Sequence, residues 1–277
     1  MAIKDLAVAY NGSTNAKAAL SFAIQMCKKY DAALSGLHVR APVALEPHVQ
    51  RWTPKSVLDS LREAADESLR NIEKSFRDVV AEEGFQGEAE WIVEEGPTND
   101  HLARLARYYD LLIVGQFSEP NESQRTTVRA EDLVHRAGKP VIIVPHGYKV
   151  RPFEEYAAVA WDGSRAAALA LQDAMQILET KKRLDVVSVG AEKSRAEALP
   201  GRDIMRHLKR HGIDARRVTL TGSRDSIGST IMNYCTENKP DVLVMGAYGH
   251  ARLREDLFGG VTRHTLKNMT VPVLMAH

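Results

Sequence analysis

Residues 245–277, MGAYGHARLREDLFGGVTRHTLKNMTVPVLMAH, hold the residue types and spacing best suited to chemistry in this chain. An apolar run from Asp241 to Met245 reads as a buried strand, and Gly246 and Gly249 follow its end. Nine residues separate Gly249 from Gly259, and Gly259-Gly260-Val261-Thr262 then opens an amphipathic helix. Glycines at a strand end let a ligand approach the backbone closely. Glycines at a helix start expose N–H groups beside the positive end of the helix dipole, which suits phosphate. The spacing predicts a nucleotide cradle. Asp162-Gly163-Ser164 is a second turn of this kind. An ionised Asp162 is acceptor-only and can take hydrogen bonds from an adenine amino group or a ribose hydroxyl. Taken alone, the same turn also reads as a helix start with Ser164 as N-cap. Gly259-Gly260 alone likewise reads as an ordinary helix start.

Other catalytic and binding patterns are missing from the sequence. There is no GxxxxGK[ST], no GxGxxG after a strand, no GxSxG elbow and no HExxH. His207 and His211 have metal-ligand spacing on a predicted helix. With no third ligand nearby they read as a solvated basic face with Lys209 and Arg210. His250 and Arg252 lie between the glycines, where they face either phosphate or solvent. No catalytic group and no metal site is assigned.

The elements that would position these turns come in two sets. Residues 6–13, LAVAYNGS, return as residues 157–164, AAVAWDGS. Residues 110–115, DLLIVG, return as residues 241–246, DVLVMG, and Pro140 returns as Pro272. A repeat of this size means tandem domains rather than a solenoid. Each half alternates strand and helix. The first half reads as strands near 3–10, 32–39, 88–94, 111–115 and 141–145, with helices near 14–30, 56–83, 98–109 and 127–137. The second reads as strands near 156–161, 183–189, 215–220, 241–246 and 271–276, with helices near 165–180, 201–211, 225–238 and 260–268. The alternation predicts an α/β fold: two doubly wound, five-stranded parallel sheets covered by helices on both faces. The domains are placed at 1–148 and 156–277, joined by a linker over 149–155. The first half carries extra residues between its first and fourth strands. Its stretch from Pro42 to Pro54, with His48 and Trp52, reads as a lid, a partner surface or an ordinary loop with a packed Trp.

Composition sets outer bounds. The chain has 277 residues, 44% of them hydrophobic and 26% charged, enough for two packed cores. A net charge of +1 gives no sign of nucleic acid or membrane as partner. Cys27 and Cys235 fall inside predicted helices and suit a reduced, cytoplasmic protein. Cys235 reads as a small buried hydrophobe rather than a nucleophile. No apolar run approaches membrane-spanning length, and the N-terminus lacks an apolar signal region.

These motifs resemble the universal stress protein family, whose pattern is Gly, two residues, Gly, nine residues, Gly, then Ser or Thr. The resemblance extends over nearly the whole chain as two copies. In nucleotide-binding members it implies that Ala160, Asp162 and the backbone near Val189 hold adenine, and that Gly246 and Tyr248 lie by the ribose. Gly249, Gly259, Gly260, Val261 and Thr262 would wrap the phosphates. Gly260 departs from the pattern, since a hydroxyl donor is lost there. A hydrogen bond to a charged group is worth roughly 1.5–3 kcal/mol; Thr262 is the candidate to compensate. The first half departs further: Asn11 replaces the aspartate, Gln116-Phe117-Ser118 lacks the second glycine, and Thr126-Thr127-Val128-Arg129 lacks the glycine pair. It is not expected to bind nucleotide in the same way.

Three functions follow as expectations. The first is ATP, or ADP or AMP, with Mg as companion ion, bound in the second half as a regulatory ligand in a stress response. The second is a nucleotide-free scaffold acting through protein partners. The third is a slow ATP hydrolase. The short apolar closing strands, VIIVP and VPVLM, are expected to pair with each other as an intrachain pseudo-dimer. Homodimerisation of the whole chain is left open.

Overall fold

The computed structural model describes residues 3–40, 52–116, 128–190, 203–223, 226–247 and 260–276. The first half runs β1 (Asp5–Ala9), α1 (Thr14–Tyr30), β2 (Ala33–Arg40), α2 (Lys55–Glu82), β3 (Ala89–Glu95), α3 (Thr98–Ala106), β4 (Leu111–Gly115), α4 (Ala130–Arg136) and β5 (Val141–Val144). The second runs β6 (Tyr156–Ala160), α5 (Arg165–Leu178), β7 (Arg183–Val189), α6 (Ile204–Arg210), β8 (Ala215–Leu220), α7 (Ile227–Asn238), β9 (Val242–Gly246), α8 (Gly260–Asn268) and β10 (Val273–Ala276). These elements follow the sequence-based expectation to within a few residues at most ends.

The ten strands form one sheet in the order β3-β2-β1-β4-β5-β10-β9-β6-β7-β8. Every pairing is parallel except β5 with β10, which is antiparallel. The closing strands therefore pair with each other, as expected, and the intrachain pseudo-dimer is real. Charged residues mark the two outer edges: Glu90, Glu94 and Glu95 on β3, Arg216 and Arg217 on β8. Charge on an edge strand discourages further pairing.

Helices cover both faces. One apolar layer joins α1, α2, α5 and α6 to the sheet, with Phe22, Phe76, Leu171 and Leu208 buried in it. The other joins α3, α4, α7 and α8, with Leu102, Leu133, Met232 and Leu266 buried. Both layers run through residues of the two halves. The central strands are buried on both faces, so they read as near-continuous apolar runs.

The repeat is visible in capping chemistry. Ser13 and Ser164 accept hydrogen bonds from Ala16 N and Ala167 N, each at 3.2 Å, and start α1 and α5. The preceding glycines, Gly12 and Gly163, have φ of 80° and 77°, which L side chains rarely adopt. Asp110 accepts from Lys4 N and Asp5 N at 2.8 and 3.1 Å. Its counterpart Asp241 accepts from Glu154 N and Tyr156 N at 3.0 and 3.1 Å. Each aspartate ties the strand after it to the start of its half's first strand. Asp241 is also ion-paired with Lys181 at 2.9 Å, both side chains no more than 3% exposed.

Residues 149–155 are fastened rather than free. Phe153 packs edge-on to Phe22, with ring centroids 5.8 Å apart, and Arg151 O accepts from Gln25 Nε2 at 2.7 Å. The halves differ most between their second and third strands. There α2 has 28 residues and α6 has 7. Among the described residues no helix is long and apolar enough to cross a membrane.

Candidate functional site

In an open α/β sheet the carboxyl ends of the strands flank a crevice where the strand order reverses. In the second half that point lies between β6 and β9, which are parallel neighbours. Ala160 ends β6 and is in register with Met245, next to Gly246 at the end of β9. Val189 ends β7, in register with Leu220. Asp162 follows β6, and α8 begins at Gly260. Strands β6, β7 and β9 thus deliver Ala160, Asp162, Val189 and Gly246 to one edge. Tyr248, Gly249 and Gly259 lie outside the described residues, as do His250 and Arg252.

Asp162 is exposed, and its Oδ1 accepts from Ser164 N at 2.9 Å. The side chain therefore shapes the turn that starts α5. A carboxylate has several acceptor positions, so this turn role does not by itself exclude a ligand-facing one.

Gly246 has a packing reason of its own. A Cβ at Gly246 would overlap the backbone of Ala166 and Ala167 in the first turn of α5. The glycine lets strand and helix approach closely. Gly115 does the same in the first half, where a Cβ would sit 2.7 Å from Asn15 O. The strand-end glycine is thus common to both halves whatever each half binds.

At Gly260 a Cβ would meet nothing within 4 Å. This position is open enough for a serine. Val261 is half-buried, whereas Thr262 is only 4% exposed. Its burial makes Thr262 a poor replacement for a hydroxyl at Gly260.

The starts of the two equivalent helices differ in charge. The first turn of α8 has no acidic residue and carries Arg263. The first turn of α4 carries Glu131 and Asp132. The positive end of a helix dipole attracts anions, and carboxylates in the first turn satisfy that preference internally. The α8 first turn thus lacks the carboxylates that α4 carries, while α4 also holds Arg129 at its N-cap. Arg263 and the Glu131-Asp132 pair are legible in the sequence but lie outside the glycine motif.

In the first half the residue after the strand-end glycine makes protein contacts. Gln116 is buried, and its Nε2 donates to Leu266 O at 2.6 Å, in the last turn of α8. Its Oε1 accepts from His146 N at 2.8 Å, and its backbone O accepts from Asn15 Nδ2 at 2.8 Å. The residue one position after the strand-end glycine thus reaches across into the other half.

The remaining sequence candidates resolve simply. The rings of His207 and His211 lie 4.7 Å apart on an exposed helix face. Trp52 is 84% exposed, so it is not the packed Trp of an ordinary loop. Residues 41–51 of that stretch lie outside the described residues. Cys27 and Cys235 are buried, and burial pushes both thiols up to about 12. Neither is poised as a nucleophile.

A buried ionic cluster lies near the opposite end of the second half's strands. Asp185, fully buried, accepts from Tyr156 and Tyr234 hydroxyls at 2.9 and 2.5 Å. Arg216 donates to both its oxygens at 2.9 and 2.7 Å, and Arg183 donates at 2.7 Å. Burial alone would raise the Asp185 pKa, but these donors outweigh it and hold the carboxyl well below its usual range. Both carboxylate oxygens are engaged by protein donors, so this is a structural network.

With this geometry in hand, comparison with known proteins is informative. Residues 2–145 and 157–277 each match the model of the universal stress protein family. The chain is similar to universal stress protein Slr1230 of Synechocystis, with 27% identity over 181 residues, covering 63% of this chain and 60% of that protein. The match therefore spans less than two thirds of that relative. Among solved structures, a universal stress protein from Archaeoglobus fulgidus superposes with a TM-score of 0.71 at 18% identity, covering 98% of this chain and 97% of that one. A functionally unknown protein from Pseudomonas aeruginosa gives 0.59 at 15% identity, covering 99% and 92%. At these identities the structural likeness shows a shared fold.

Proposed function

Because the chain belongs to the universal stress protein family, matched over both halves, we propose that its second half binds an adenine nucleotide, ATP foremost, as a regulatory ligand in a stress response. The observation that carries this reading is the charge contrast between equivalent helix starts. The α8 start combines an acid-free first turn with Arg263, whereas α4 carries Glu131 and Asp132. An anion meets no first-turn carboxylate at α8 and two at α4, where Arg129 at the N-cap offsets part of their charge. Asp162 and the ends of β6, β7 and β9 provide the neighbouring surface for base and ribose. Tyr248, Gly249 and Gly259 complete the motif in sequence. Magnesium would accompany the phosphates. Cys27 and Cys235 are both free thiols, so the cytoplasm is the proposed location.

Calorimetric titration of the full chain with ATP, with and without Mg, tests this. One site with a Kd of about micromolar order is expected, weakened by at least about tenfold in Arg263→Glu. The open space at Gly260 makes Gly260→Ser a tolerable gain of a hydroxyl. That variant should bind about tenfold tighter or better, from a hydrogen bond of roughly 1.5–3 kcal/mol to a charged group. Unchanged affinity in Gly260→Ser would count against the idea that Gly260 weakens the site. No binding to the unaltered chain would put the partner-directed scaffold first.

A further inference from the structure

The two halves share a fold but not a crevice. In the first half α2 is 28 residues long, four times the 7 of α6. Its C-terminal part packs on the sheet, where Phe76 lies directly over Gly36 of β2. Ile72 meets the β1–α1 turn, 3.5 Å from where a Cβ on Gly12 would sit. The residues from Lys55 to Ile72, roughly 25 Å of helix at 1.5 Å per residue, precede that contact, and Asp66 among them pairs with Arg40 at the end of β2. They wall one side of a cleft whose other side is the Asn11-Gly12 turn. The cleft has a volume of about 480 Å³. Among the described residues of the second half, the short α6 builds no equivalent wall.

We propose that this cleft binds an uncharged, hydroxyl-rich ligand of sugar or polyol type. Its described polar lining includes the carboxamides of Asn11 and Asn71, the hydroxyls of Ser68 and Ser75, and the carboxylate of Glu67; Asn11 Oδ1 already accepts from Ser13 N at 3.1 Å. Amides and hydroxyls both donate and accept, and a carboxylate accepts from paired hydroxyls. Ile72 adds an apolar surface for the C–H face of a ring. No Lys or Arg is among the described lining residues. Among those described residues Glu67 is the charged one, and its carboxylate repels a phosphate. One lining hydroxyl is pre-positioned: Ser75 Oγ lies 2.8 Å from the Tyr10 hydroxyl. Tyr10 in turn is fixed edge-on between Phe76 and Trp91, with centroids 5.7 and 6.1 Å away. The volume suits a mono- or disaccharide, within the roughly 300–1,000 Å³ of small-molecule sites. The loss of the nucleotide motif in this half thus coincides with a wall that makes a different site. The inference stands independently of nucleotide binding in the second half.

Saturation-transfer NMR on the full chain, with glucose, trehalose and glycerol as separate probes and ATP as a control, tests it. The variants are Ser68→Trp, which fills the cleft from an exposed helix position, and Asn71→Leu, which removes a carboxamide. Matching thermal melts would verify that both fold. At least one carbohydrate or polyol should saturate a single site with a Kd near or below about 10 mM, weakened at least about tenfold by either variant. ATP response should be unaltered by both. The proposal fails if none of the three probes saturates, or if Ser68→Trp leaves the affinity unchanged. It also fails if the cleft variants abolish the response to ATP, which would make the first half a nucleotide site instead.

Discussion

Ile142 and Leu274, each two residues beyond its own half's proline, are register partners across the antiparallel β5–β10 seam. Equivalent residues meet, so the seam is a local two-fold, the isologous geometry of a symmetric dimer built within one chain. Both side chains are no more than 1% exposed. Leu274→Ala should cost about 2–5 kcal/mol, measured by urea unfolding. Ile142→Ala should cost a similar amount. Residues across one seam share a cavity, so the double variant should depart from additivity by at least about 0.5 kcal/mol. Strict additivity would mean that the seam is not a single packed unit.

Gln116 is the second link between the halves. Replacing it with Ala strips a donor from the α8 carbonyls and an acceptor from His146 N. A loss of about 1–3 kcal/mol is expected for buried groups left unpaired. Gln116→Glu should be worse, because a carboxylate would face the Leu266 carbonyl. Hydrogen exchange at the last turn of α8 should rise in both variants, and unchanged exchange there would refute the link.

The Asp185 cluster sets an acid limit. Its folded pKa is depressed, so the carboxylate's stabilisation is present in full above the usual range near pH 4 and is lost as pH falls through the lower folded value. Asp185→Asn removes the charge that Arg183, Arg216 and the two tyrosines address. It should lower stability at pH 7 by about 1.5–3 kcal/mol, the value of a hydrogen bond to a charged group. The variant's stability should also fall less steeply with acid. Parallel stability-versus-pH curves for the two proteins would argue against the assignment.

Gly246→Ala introduces a Cβ against the first turn of α5. Overpacking of this kind costs about 1–3 kcal/mol. Since α5 starts at the Asp162-Gly163-Ser164 turn, any ATP affinity should fall together with stability. Gly163→Ala has open space but an unfavourable φ of 77°, and should cost about 1–2 kcal/mol. Thermal unfolding of the two variants separates steric overlap from backbone strain.

Element order, the duplication, the serine caps, the buried cysteines and the pairing of the closing strands were all legible in the sequence. Each rests on local information: apolar periodicity, turn residues at fixed offsets, or a short apolar strand that needs a partner. The charges at the helix starts were legible too, in Glu131-Asp132 and Arg263. The reason for Gly246, the burial of Thr262 and the exposure of Trp52 emerged only in three dimensions. So did the crossing of Gln116 to α8, which joins residues 150 apart in the chain. The cleft under α2 likewise depends on where a helix lies relative to a strand end. Spacing along a chain says which residues share a strand or a helix face. Which backbone leaves no room for a Cβ, and which buried amide finds a carbonyl in the other half, depends on the packing of distant segments to full density.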